Sequence, residues 1–282
     1  MSKPYLLLTA YLMHFKELYS VKRRNYLFEF EDLTWFPNII RESMTDYLRY
    51  VLTALRFYQP ITPLIIETLV RANTNQIIDL CSGGGGAIEQ IMDNLNQSDN
   101  REIKIMLTDK FPNVNAFHFL ALKTNNQISF SENSIDAANV PVELSGIRTI
   151  FSGFHHFDIR SAKLILTNAV ESNSALAIFD GGNKNLLTAL FTLLFHPLAF
   201  FLFTPFFKPF RMSRLLFTYF IPIIPICTVW DGMVSISRLY HCTELLKMAE
   251  EVESVNYRWK AGKLKASYGL NVTYLIGYPK EN

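Results

Sequence analysis

Between Met44 and Tyr58, the residues Tyr47, Leu48, Val51, Leu55 and Tyr58 recur at three- and four-residue intervals, which predicts a helix with one buried face. Pro60 and Pro63 punctuate the stretch, and Pro63 suits the first turn of a second helix. Residues 1–72 therefore read as a helical cap. From Gln76 the pattern shortens. Gln76–Leu80, Ile103–Thr108, Ile128–Ser131, Arg148–Ser152 and Ala175–Phe179 are apolar runs of strand length, and Asp109 and Asp180 directly follow two of them. A turn at Gly83–Gly86 and a helix over Ala87–Leu95 follow the first run. Strands alternating with helices predict an α/β fold with a mostly parallel sheet and helices on both faces. Tyr257–Lys260 and Val272–Tyr278 bring the expected strands to about seven. Ligands of such sheets bind beyond the carboxyl ends of the strands.

Residues 186–230, set within a domain expected over 73–282, are almost continuously apolar. Leu186–Phe207 is long enough to span a bilayer, but His196, Pro197 and Pro205 interrupt it, and Pro222 and Pro225 interrupt Leu215–Trp230. Crossing twice would carry Lys208, Arg211 and Arg214 to the far side, against the positive-inside tendency. The charges favour a helical hairpin lying in the membrane interface with its bases on lipid phosphates. A lid over an apolar substrate and a dimer face are the soluble alternatives.

Composition narrows the classes. The chain has 282 residues, 49% of them hydrophobic and 18% charged, with 27 basic and 25 acidic residues, so neither disorder nor nucleic-acid binding is expected. Cys81, Cys227 and Cys242 are scattered and odd in number, which fits a reducing, cytoplasmic setting without a zinc motif. Pro4–Phe15 is apolar, but Lys16, Glu17 and Lys22-Arg23-Arg24 follow where a cleavage site would stand. A helix packed on the domain or touching a membrane is expected there.

Four glycines in a row after a strand are more than a tight turn needs, which points to close approach by a ligand. No lysine follows as a phosphate loop requires, and Ile88 and Cys81 break the two possible registers of a dinucleotide fingerprint. The string Ile77-Ile78-Asp79-Leu80-Cys81-Ser82-Gly83-Gly84-Gly85 resembles the first motif of class I S-adenosylmethionine-dependent methyltransferases, with Cys81 in place of the first glycine. The resemblance implies a Rossmann-like fold with S-adenosyl-L-methionine as cofactor. It implies that Asp79, Cys81, Ser82, Gly83 and Gly85 surround the amino-acid part of the cofactor, with Asp79 holding its ammonium directly or through water. Asp109, beside Lys110 and about 24 residues past Gly85, is placed to accept the ribose hydroxyls; otherwise it caps the next helix. Asp136 and Ala137 would flank the adenine by the same resemblance.

Phe151-Ser152-Gly153-Phe154-His155-His156-Phe157 resembles the aromatic, histidine-bearing fourth motif of small-molecule methyltransferases. Ser152 would face the cofactor, and His155 or His156 could take a proton from an acceptor, His155 being preferred. Pocket-shaping histidines are the alternative. Trp35, Arg41, Phe154, Asp180, Trp230 and Arg238 are candidates for the substrate pocket, although Arg238 could instead pair with Asp231. No metal is expected. Methyl transfer to a small or lipid-like acceptor is the leading expectation. A nicotinamide oxidoreductase and a membrane-associated binding protein without catalysis are the others. The sequence leaves the oligomeric state open.

Overall fold

The computed structural model describes residues 27–98, 101–252 and 256–280; the apolar Pro4–Phe15 stretch lies outside them. The elements are α1 (Asn38–Ala54), α2 (Thr62–Arg71), β1 (Gln76–Leu80), α3 (Ile88–Ser98), β2 (Lys104–Leu107), α4 (Val114–Lys123), β3 (Ile128–Phe130), β4 (Ile147–Phe151), α5 (Ile159–Glu171), β5 (Leu176–Gly181), α6 (Leu186–Phe203), α7 (Met212–Leu215), α8 (Ile223–Arg238), α9 (Cys242–Glu250), β6 (Tyr257–Lys265) and β7 (Asn271–Pro279). The sheet order is β3-β2-β1-β4-β5-β7-β6. The first five strands are parallel, and β7 and β6 form an antiparallel hairpin at one edge. This is a Rossmann-like sheet whose order reverses between β1 and β4, the switch point where ligands of such folds lie.

All five strands expected in the middle of the chain are present as short apolar runs; β1, β4 and β5 are buried on both faces, while β2 and β3 toward the edge are only partly so. One face packs Ile61, Ile65, Ile91 and Phe117 against the sheet, and the other packs Ile165, Leu166, Leu245 and Met248. A third cluster joins the cap to the apolar insertion: Phe36, Met44 and Tyr47 with Phe200, Phe207 and Ile224.

Two boundaries differ from expectation. Helix α1 starts after Pro37, earlier than Met44, and stops at Ala54. Arg56 then adopts φ 48°, so Tyr58 leaves the helix line and enters the core. The apolar insertion bends more than a simple hairpin, with an angle of 79° where Ile221 and Pro222 part the second helical stretch.

Candidate functional site

The loop after β1 is held open by polar anchors. Asp79 is 2% exposed, and its two oxygens accept the Thr149 hydroxyl at 2.7 Å and the Ser82 hydroxyl at 2.6 Å. Burial raises its carboxyl to about 7, although those hydroxyls pull it down. Asp79 is thus a buried brace of the loop. Thr149, facing it from β4, was not legible as a site residue.

Cys81 (φ 57°), Gly83 (φ 54°) and Gly85 (φ 95°) turn the chain back. A side-chain carbon at Gly84 would lie 2.7 Å from the Thr45 carbonyl oxygen, and one at Gly85 would lie 2.3 Å from the Leu120 side chain. Much of the glycine requirement therefore comes from α1 and α4 packing on the loop. Beside a ligand and a tight turn, packing by α1 and α4 is a further reason for the bare backbone at Gly84 and Gly85.

Asp109 follows β2. Its Oδ2 accepts the Gly83 N–H and its Oδ1 the Phe111 N–H, each at 2.7 Å. Helix α4 is capped by Asn113 instead, through the Ala116 N–H, so the capping alternative for Asp109 does not hold. Each carboxylate oxygen keeps a second lone pair for a hydroxyl. Lys110 and Asp136 form an exposed ion pair at 3.3 Å, while Ala137 is buried against the sheet. The Cys81 thiol is pushed well up, first by burial and then by Asp109, Asp79, Asp136 and Asp32. The loop thus lies in an acidic field.

The loop after β4 meets the glycine loop. Ser152 takes φ 49°, and a side-chain carbon at Gly153 would lie 3.2 Å from the Cys81 Cβ. The Ser152 hydroxyl is 2.5 Å from the Tyr58 hydroxyl, which also donates to the Phe179 carbonyl at 3.2 Å. Tyr58 is a second residue whose place here the sequence did not announce. His155 is buried, with Nδ1 3.1 Å from Asp180 Oδ1. His156 lies 2.9 Å from Asp32 and 3.5 Å from Glu29. Burial alone would lower the His156 pKa, but Glu29 and Asp32 override it and hold it up at about 10. At that value His156 is mainly protonated near neutrality, a cation held between Glu29 and Asp32. Glu29, His155 and His156 bring potential metal-ligand atoms within 4.8 Å of one another.

An apolar cavity of about 210 Å³ opens beside these histidines. Leu48 and Val51 of α1, Leu55 just after it, Phe191 and Phe195 of α6 and Ile236 of α8 line it, with Glu29, Ser152, His155, His156 and Gly181 at its polar end. Asp231 also lines it, accepts the Phe30 and Glu31 N–H groups at 2.8 and 3.1 Å, and is raised to about 7, mainly by burial. Burial and then Asp231 raise Glu31 to about 8.

Several candidate substrate residues lie elsewhere. Trp35 is 70% exposed against the edge of Phe36. Arg41 is spent on Asn38 and on the Glu31 and Leu33 carbonyls, stacked over Phe111. Phe154 is fully buried beside Phe157 and Tyr240. The Trp230 indole donates to the Phe28 carbonyl at 2.9 Å, and Arg238 pairs with Glu29 and Asp32 rather than Asp231. These two residues fasten the segment 27–32 across the end of the cavity. Asp180 acts on the site through His155.

No family model and no curated protein matches the chain. It is similar in structure to an O-methyltransferase family protein from Burkholderia thailandensis (17% identity, TM-score 0.45, 80% of this chain and 57% of that one). Human N-acetylserotonin methyltransferase in complex with S-adenosylmethionine is another (12%, 0.47, 86% and 58%). A third is a Rhodobacter sphaeroides structure named as a candidate zinc-dependent alcohol dehydrogenase (9%, 0.50, 86% and 98%). Others are named as O-methyltransferases. The chain spans a little over half the length of the first two. At these identities the likeness is one of fold: a Rossmann-like α/β sheet, present in structures named for methyl transfer and for alcohol oxidation alike.

Proposed function

We propose that this chain is an S-adenosylmethionine-dependent methyltransferase acting on a small, largely apolar or lipid-like acceptor. The observation that carries the reading is the meeting of the β1 and β4 loops at the switch point, Cys81 against Gly153, with Asp109 on one side and the His155 cavity on the other. A nucleotide-like ligand belongs in that crevice. The acidic field around Cys81 repels a pyrophosphate and tolerates a sulfonium, which favours S-adenosylmethionine over a nicotinamide dinucleotide. Asp109 would accept the ribose hydroxyls and Asp136 would flank the adenine. An apolar acceptor in the cavity would turn its nucleophile toward His155, whose ring Asp180 orients. In-line methyl transfer needs mainly such positioning.

The lipid-like part of the proposal comes from the insertion. Most exposed large apolar side chains of the described residues fall between Leu186 and Met233, and α6 also lines the cavity. Leu186–Phe206 is long and apolar enough to cross a membrane, but α6 is joined to the cap through Phe200 and Tyr47, stacked at 4.0 Å. A helix tied to the cap in this way suits the cytoplasmic membrane surface better than a span. The bases do not support that placement as expected: Arg211 pairs with Glu42 and Arg214 with Asp46, turned inward.

Calorimetric titration tests the cofactor reading. The protein is expected to bind S-adenosylmethionine and not NADH, and Asp109→Ala to bind it about tenfold more weakly or worse, since hydrogen bonds to a charged group are lost. Preference for NADH would refute the assignment. Formation of S-adenosylhomocysteine with a lipid extract separates an enzyme from a binding protein.

A further inference from the structure

We propose that Glu29, His155 and His156 hold a divalent transition-metal cation at the polar end of the apolar cavity. All three residues line the cavity, and one ligand atom from each lies within 4.8 Å of the others. That spacing suits one ion with nitrogen and carboxylate ligands at the usual distance of about 2.0–2.2 Å. Two imidazoles and one carboxylate form a donor set that zinc and its first-row neighbours accept, with a coordination position left for a further ligand.

The surroundings of the three residues point the same way. Asp180, 2% exposed, holds His155 Nδ1 at 3.1 Å. With the proton fixed on Nδ1, the imidazole lone pair lies on Nε2, the arrangement that orients a metal-binding histidine. Asp180 Oδ2 is buried without a hydrogen-bond partner, so its charge is only partly answered. Glu29 is 1% exposed; its oxygens meet Arg238 at 3.0 Å and the Ser235 hydroxyl at 2.9 Å, and each retains a second lone pair. The carboxylates of Glu29, Asp32 and Asp180 meet these two histidines, and Arg238 is the other base in direct contact with Glu29 and Asp32. A dication at this end of the cavity answers those carboxylates.

Metal binding itself does not depend on the methyl-transfer reading. Its use does: on that reading the cation takes an acceptor oxygen as its remaining ligand and lowers the pKa of a hydroxyl there, and His155 serves as a ligand in place of a base.

The test uses the full chain, stripped with EDTA and desalted, then titrated with cobalt(II) by visible absorption and with zinc(II) by calorimetry. One equivalent of cobalt should produce a ligand-field band that zinc abolishes. His155→Ala and Glu29→Gln should each weaken zinc binding at least about tenfold, and Asp180→Asn by about 10–100-fold, with circular dichroism and melting reporting that the variants fold. Absence of the cobalt band in the wild-type protein overturns the proposal whatever the variants do. Unchanged binding in folded His155→Ala and Glu29→Gln also overturns it, because the ion then sits elsewhere. S-adenosylmethionine binding measured on the same samples keeps the two ideas apart: a cobalt band without cofactor binding refutes the methyltransferase alone, and cofactor binding without the band refutes the ion site alone.

Discussion

At the scale of single residues, Asp79 and Gly84 separate what the glycine loop does for folding from what it does for a ligand. The folded-state pKa of Asp79 is about 7 against 3.8 for a free side chain, so the folded protein binds that proton more tightly. The stability it contributes is complete below about pH 4 and is lost as pH rises through about 7. Wild-type protein should therefore lose melting stability relative to Asp79→Asn between about pH 4 and 7, by at most about 1.4 kcal/mol per pH unit. Parallel melting profiles for the two proteins would remove Asp79 as the source. Gly84→Ala places a carbon 2.7 Å from the Thr45 carbonyl oxygen. Overpacking of this kind costs about 1–3 kcal/mol; chemical denaturation measures it, and an unchanged midpoint would mean that α1 moves freely on the loop.

At the scale of elements, the ion cluster between α1 and the insertion is the main polar joint. Asp46 is fully buried, pairs with Arg214 and accepts from Asn113 at 3.1 Å, and Arg214 is 1% exposed. Asp46→Ala leaves that guanidinium buried without its partner and should destabilise by about 3–5 kcal/mol, while Asp46→Ala with Arg214→Met should recover a large part. Denaturant titration of the single and double variants decides whether the joint is structural. The sequence showed the strands well, because their apolar runs and following aspartates are local signals. It also pointed to Asp109 and to His155, which stand at the carboxyl ends of β2 and β4 or just beyond. It could not show that Trp35, Arg41 and Phe154 are taken up by packing or by backbone carbonyls, since an aromatic or basic residue looks the same in either role. Nor could it pair Glu29 with histidines 126 and 127 positions away, or see Tyr58 leave its helix, because both depend on tertiary contacts between distant segments.

At the scale of the whole molecule, one side of the protein is unlike the rest. The apolar insertion leaves Leu194, midway along α6, 71% exposed and Phe220, just before α8, 80% exposed. Continuous apolar surface of this kind marks an interaction site, and on the proposed reading it rests on lipid. The protein should co-sediment with phosphatidylcholine vesicles, and Leu194→Asp with Phe220→Asp should reduce the bound fraction several-fold while leaving S-adenosylmethionine binding intact. Because Arg211 and Arg214 face inward, added anionic lipid should change binding little; a strong dependence on anionic lipid would point to Lys208 or to bases outside the described residues.

The fastening of residues 27–32 by Trp230 and Arg238 has an optical consequence. The chain has three tryptophans, and only Trp230 donates to this segment, through the Phe28 carbonyl. With Trp35→Phe and Trp259→Phe, the remaining indole becomes a gauge of whether the strap is seated. Displacing the strap would expose more of that ring, already 37% exposed, and shift its emission to the red, so stopped-flow fluorescence tests whether the segment moves when cofactor, acceptor or metal is added.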